Sequence, residues 1–226
     1  MAYDYTFSEQ IIMSIITGLS NFTFIPTILL NFIWERHFES YISLFTMVTS
    51  FMYHFTESLN IEIYMEPGKW HILDNIGSIC CFNALIITYM NIKTEDKRLK
   101  LNLASLILVI VLQTENPWNL LNTIVPILLF GILLIYDYYI HGVPEFNYKE
   151  LVRAFSVFIV AIAMFVKGLD EHSDYLRIAH SLWHMFMGIC SFYLWQIREN
   201  ANIDFKNIFY EFHKYVHGDS EKKLKI

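Results

Sequence analysis

Residues 11–34 read IIMSIITGLSNFTFIPTILLNFIW, a run without a single charged side chain. A helix crossing a bilayer needs about 20 predominantly apolar residues, so this run is long enough on its own. Asp4 and Glu9 ahead of it carry the wrong sign for a secretory signal peptide, and the run is too long for the apolar part of one. It reads as a first membrane span. Pro26 lies inside it, where proline is better tolerated than in a soluble helix. Asn21-Phe22-Thr23 matches a glycosylation sequon but is expected to go unused within a span.

The same reading between charges gives six more spans: Ser40–Thr56, Trp70–Ile92, Leu101–Thr114, Trp118–Tyr136, Leu151–Val166 and Ile178–Ile197. The fourth and sixth are short, so their ends must draw on residues such as Leu99 or Arg153, the latter with a long side chain that can snorkel. Pro126 falls inside the fifth. Composition agrees, because 17% charged residues stands well below the roughly 25% of soluble domains. The expected fold is an all-α membrane protein, a seven-transmembrane helical bundle over residues 1–200, followed by a tail over residues 201–226. No repeat, Gly/Ser linker or soluble second domain interrupts it.

Basic residues fix the orientation. With the N-terminus outside, the cytosolic segments hold Arg36, a cluster at Lys93, Lys97, Arg98 and Lys100, then Lys149, Arg153 and six in the tail. Outside stand only Lys69, Lys167 and Arg177, so 13 of the 16 Lys and Arg face the cytosol. That asymmetry follows the positive-inside rule and puts the C-terminus in the cytosol. In the tail, Phe205, Ile208, Phe209, Phe212 and Val216 recur at helical spacing. They suit a helix lying on the cytosolic membrane surface or packed against the inner end of the bundle.

There is no basic stripe with interleaved aromatics, which argues against nucleic acid as a ligand. Membrane lipids are the expected partners, with a homodimer left open. Cys80, Cys81 and Cys190 all fall in apolar segments and read as buried thiols that pack like small apolar side chains. The host membrane is the plasma membrane or one of the secretory pathway.

Ionisable groups inside spans are costly, about 2.5–3.5 kcal/mol for a central Asp, and each calls for a reason. His180 and His184 are four apart on one face of the seventh span, the spacing at which two imidazoles bind one metal ion. Ser50 and His54 share a face of the second span, and Asp74 opens the third. The alternating topology brings His54, Asp74, His180 and His184 to one depth below the outer surface. Three His with an open fourth position make a catalytic type of zinc site, with Asp74 as general base or orienting group and Ser50 as hydrogen-bond donor. A lone His in a span is more often a partner between helices, and it is the convergence that favours metal. His71 and Glu57 lie near the same surface as alternative ligands. His37, His141, His172, His213 and His217 sit in loops or tail, where solvation is the default.

Serine four residues before a His in the second span, Asp at the start of the third and His-x-x-x-His in the last resemble the CREST superfamily. That group includes the alkaline ceramidases, the progestin and adipoQ receptors and the transmembrane protein 8 and myomaker branch. The resemblance is greatest to that last branch. It is carried by Ile25-Pro26-Thr27, Arg36-His37-Phe38, Leu44-Phe45-Thr46, Asp74-Asn75-Ile76-Gly77-Ser78, Tyr175 and His180-Ser181-Leu182-Trp183-His184. It implies a zinc-binding seven-span protein of one of two kinds. One is a hydrolase of lipid amide or ester bonds at the outer leaflet, to which Ser50 and Asp74 point. The other is a myomaker-like membrane-remodelling or cell-fusion protein with a structural zinc site, to which overall length points. The segment from His217 to Ile226 lacks the cysteines that end vertebrate myomakers.

The charge split yields a direct test of topology. An epitope at the C-terminus should be labelled only after cells are permeabilised, and one inserted between Asn60 and Lys69 should be labelled on intact cells. The reverse pattern would overturn the orientation and the depth assigned to the site.

Overall fold

The computed structural model describes residues 5–170, 173–198 and 202–217. Asp4, His172 and the last nine residues, used above, lie outside them. All regular structure among the described residues is helical: α1 (Phe7–Ser20), α2 (Ile25–Ile33), α3 (His37–Leu59), α4 (Pro67–Tyr89), α5 (Glu95–Glu115), α6 (Leu120–His141), α7 (Tyr148–Gly168), α8 (Ile178–Leu194) and α9 (Ile208–His217).

Four stretches are long and apolar enough to cross a membrane: Phe7–Ile33, which joins α1 to α2, then α4, α6 and α7. The other three expected spans are helices as well, each with a reason for being less apolar. α3 carries a face of buried Ser, Thr and His side chains. α5 opens on Glu95, Asp96, Lys97 and Arg98. α8 has 17 residues. The short fourth and sixth candidates lengthen at both ends, to 21 residues each in α5 and α7, and α5 takes in Leu99.

The first span is not one continuous helix. α1 starts at a capping box in which Thr6 and Glu9 satisfy each other's backbone N–H groups. It gives way to a 3₁₀ turn, Asn21–Phe24, before α2 restarts with Pro26 in its first turn, where the missing N–H is harmless. The turn presents Thr23 to α8, and the Thr23 hydroxyl donates to the His184 carbonyl at 3.3 Å as well as to its own chain. Gly188 makes that approach possible, since a Cβ there would stand 2.3 Å from Thr23 Oγ1 and 2.7 Å from its carbonyl carbon. Gly77 admits α3 in the same way, with Thr46 Oγ1 2.6 Å from the place of its absent Cβ.

α3 packs along α4 and α1, and α7 packs along α8, while α6 lies on α4 and α5. At one end Tyr89 donates to the Leu194 carbonyl at 2.9 Å and Arg36 to the Trp195 carbonyl at 3.3 Å, tying α4 and the α2–α3 turn to the end of α8. α9 docks at the same end: Ile208 is fully buried with Leu30, Ile33 and Phe192, and the Phe212 ring meets Phe32. Of the two tail readings, packing on the bundle holds for this face, whereas Phe209 and Tyr210 remain exposed. Cys80 and Cys190 are buried free thiols, and Cys81 is half-buried.

The glycine contacts predict opposite outcomes for one substitution. Gly188→Ala should destabilise the protein by about 1–3 kcal/mol, because backbone atoms of Thr23 cannot move aside cheaply. Gly131→Ala, where nothing stands within 4 Å, should be neutral or slightly stabilising in mid-helix. Thermal melts in detergent would show it, and equal melting temperatures for the two variants would contradict the packing of α8 on the 3₁₀ turn.

Candidate metal centre

The start of α8 is held by its own preceding loop. Asp174, 3% exposed, accepts from the Ala179 N–H at 2.7 Å and the His180 N–H at 3.0 Å, satisfying donors that a helix start leaves open. Leu176 (φ 57°) and Arg177 (φ 53°) are both left-handed, which turns the chain sharply into the helix. The loop is tied twice more: Tyr175 donates to Glu9 of α1, and the Arg177 guanidinium donates to Glu57 of α3. From the other side α7 ends against the helix at Gly168, where a Cβ would lie 3.0 Å from the His180 nitrogen.

So placed, His180 and His184 face His54 of α3, and the three Nε2 atoms form a triangle. The edges are 3.0 Å from His54 to His184, 3.1 Å from His180 to His184 and 3.4 Å from His54 to His180. The rings stand at 68–71° to one another with centroids 4.8–4.9 Å apart, as the blades of a propeller. Among the described residues these are the His, Cys, Asp and Glu groups that could hold a metal ion.

The triangle can be tested for fit. Metal–nitrogen bonds of 2.0–2.1 Å in a tetrahedron put neighbouring nitrogens about 3.3 Å apart. The three edges bracket that value. Hydrogen bonding alone explains the triangle less well, because each Nε2 has a single N–H or lone pair directed along its ring axis. Three such groups converging on one point suit a shared cation.

Ser50 and Asp74 line the same cavity, of about 580 Å³. Asp74, on α4, is half-buried and adjoins Ser50 and Ser78. Ser43, Thr46, Thr49 and Thr56 each donate to the carbonyl one turn back, at 2.7–2.9 Å. Ser50, 3% exposed and one turn from His54, makes no such bond and has the Asp74 carboxylate beside it instead.

Neither alternative ligand joins the triangle. The His71 ring stacks on Trp118 at 3.9 Å and neighbours Tyr53. Glu57 lies on the Nδ1 side of His54, 3.9 Å away, while Nε2 faces the other histidines. His141 pairs with Asp137 at 2.9 Å, and His213 and His217 stack on each other in α9. The sequence reading missed Asp174 and the Glu57–Arg177 pair. An aspartate four residues before an apolar helix is a capping signal that could have exposed the first; the second joins residues 120 apart and has no local signature.

The chain belongs to the family described as protein of unknown function (DUF3522), whose model matches residues 9–185. That match takes in all five residues of the site. No curated protein matches the chain.

The cap on α8 gives a graded expectation. Asp174→Ala should cost about 0.5–2 kcal/mol of stability, and Asp174→Asn part of that, since the amide offers one acceptor oxygen where the carboxylate uses two. Thermal unfolding of the two variants in detergent measures the difference, and an Ala variant as stable as wild type would show that α8 is anchored elsewhere.

Proposed function

We propose that this DUF3522 chain is a zinc-dependent membrane hydrolase that cleaves an amide or ester bond of a lipid near the outer leaflet. The observation that carries this is the convergence of three His Nε2 atoms beside Asp74 and the Ser50 hydroxyl in one cavity. Seven helical segments and the lopsided distribution of Lys and Arg support a seven-span bundle with the N-terminus outside and the tail in the cytosol. In that frame His54 near the end of α3, Asp74 in α4 and His180 at the start of α8 lie at the outer end. The exposed Phe209 and Tyr210 of α9 would meet the cytosolic membrane surface.

His54, His180 and His184 would hold the ion, with one position left open. Zinc there supplies Lewis acidity, polarising a carbonyl oxygen and acidifying water. The remaining chemistry falls to side chains. Asp74 takes a proton from the attacking water as its oxygen adds to the acyl carbon, and returns it to the leaving nitrogen or oxygen as the old bond breaks. Ser50, whose hydroxyl stands beside the Asp74 carboxylate, donates to the carbonyl oxygen or orients the water.

Access suits a lipid. α6 packs on α4 and α5, α7 packs on α8, and α6 and α7 scarcely touch. The cavity is bordered by Phe165 and Leu169 from α7 and its end, and by Trp118 just ahead of α6. Both helices show apolar side chains outward, so a chain arriving from the bilayer stays in an apolar environment until it meets the polar cavity.

A structural zinc site in a myomaker-like membrane-remodelling or cell-fusion protein is the second reading, favoured by the resemblance in the first and second spans. One set of measurements separates the two. Gently purified, chelator-free protein should contain about one zinc per chain, and His180→Ala or His184→Ala should lose it. Asp74→Asn should keep metal and fold but abolish lipid cleavage, because an amide cannot accept the proton. Ser50→Ala should slow turnover less severely. Metal-free wild type would sink both readings. Zinc-loaded wild type inactive on ceramide, phospholipid and GPI substrates would favour the fusion reading, to be followed by cell-mixing assays.

A further inference from the structure

Bound imidazoles are normally oriented from behind: the ring nitrogen that does not face the metal donates its N–H to a carboxylate or carbonyl. In His54 that nitrogen is Nδ1. It is buried and has no hydrogen-bond partner among the described residues. The nearest carboxylate is that of Glu57, one turn further along α3, with Oε2 3.9 Å from Nδ1. That is about 1 Å beyond a hydrogen bond, within reach of a small torsion in a side chain of three rotatable bonds.

Glu57 is otherwise fully engaged. Its Oε1 accepts from the Tyr53 hydroxyl at 2.8 Å, and its Oε2 accepts from Arg177. A carboxylate oxygen has a second lone pair, so Oε2 can take the His54 N–H without releasing Arg177. The Tyr53 ring, 4.8 Å from the His54 ring, packs beside the same imidazole. Glu57 therefore stands between the ligand on α3 and Arg177, three residues ahead of the ligand His180 on α8.

We propose that Glu57 is a positioning residue of the metal centre, holding the His54 tautomer and ring through Nδ1 while its pairing with Arg177 locks α3 to the start of α8. This rests on the metal reading above and gives Glu57 a role other than ligand. The carboxylate keeps His54 Nε2 unprotonated and aimed at the centre of the triangle. A neutral amide in its place offers a weaker acceptor and can present the wrong face to Nδ1.

Zinc affinity of the full-length chain in detergent, titrated against a competing chelator, tests this without reference to activity. Removing such a second partner typically weakens binding 10–100-fold. Glu57→Gln should fall in that range, while Glu57→Asp, which keeps the carboxylate, should recover part of the loss. Arg177→Gln loosens the tie between α3 and α8 but leaves the carboxylate free for His54, and should weaken binding clearly less than Glu57→Gln does. Melting of the chelated forms serves as control: a purely structural Glu57 would lower the stability of metal-free and loaded protein equally and leave affinity unchanged. Affinity within threefold of wild type for Glu57→Gln, or an equal loss for Arg177→Gln, would overturn the assignment and leave the metal centre standing. Wild type that takes up no zinc would instead overturn the centre and this role with it.

Discussion

Three imidazole nitrogens within 3.4 Å of one another are an unstable company unless they share something at their centre. Two come from one turn of α8 and the third from α3, so the relative placing of those two helices is the constraint on which the site rests. Wider separations would lose the tetrahedral spacing of about 3.3 Å that the three nitrogens now bracket. The molecule meets that demand by fixing α8 at several points. Asp174 caps its start, Arg177 ties the preceding turn to α3, Gly168 and Gly188 let neighbours approach its backbone, and Tyr89 and Arg36 hold its far end.

The broken first span belongs to the same device. A straight helix from Phe7 to Ile33 would run past α8 with side chains between the backbones. The 3₁₀ turn at Asn21–Phe24 instead brings Thr23 against Gly188 and lets its hydroxyl bond the carbonyl of His184, itself a member of the triangle. Asn21 reinforces the break, since its side-chain amide donates to the Thr17 and Gly18 carbonyls at the end of α1. Helix α9 then covers the outer side of α2, burying Ile208 where the α1–α2 unit would otherwise be thinly supported.

Much of this was legible from residues alone because the underlying signals are local or periodic. Runs between charges marked all seven helical segments, and short runs such as Leu101–Thr114 needed only extension into amphipathic ends. His180 and His184 could be paired because four residues make about one helical turn. Adding His54 and Asp74 required only that successive long helices run in alternating directions. What stayed hidden depends on contacts distant in sequence. Glu57 read as a rival ligand because its depth was visible but not the side of His54 on which it lies. Thr23 read as part of a sequon, although its meaning is set by a glycine 165 residues later. The docking face of α9 was one of two options that amphipathic spacing cannot separate.

Hydroxyl groups along α3 show how an apolar surrounding sorts structural polarity from chemical polarity. A hydroxyl in a span must find an acceptor, and the nearest is the carbonyl one turn back, already bonded within the helix but with a lone pair to spare. Ser43, Thr46, Thr49 and Thr56 take that solution, so their polarity is spent on their own helix. Ser50 could do the same and does not. Ser58, buried on the same helix, does not either, so a missing backbone bond is not by itself a mark of chemistry. What sets Ser50 apart is its position one turn from His54, beside the Asp74 carboxylate and within the cavity, where the proposed reading uses its hydroxyl on water or a lipid carbonyl. A site kept only for structure would have no use for a hydroxyl so placed, and Ser50 is thus the residue on which the hydrolytic reading leans beyond the metal itself.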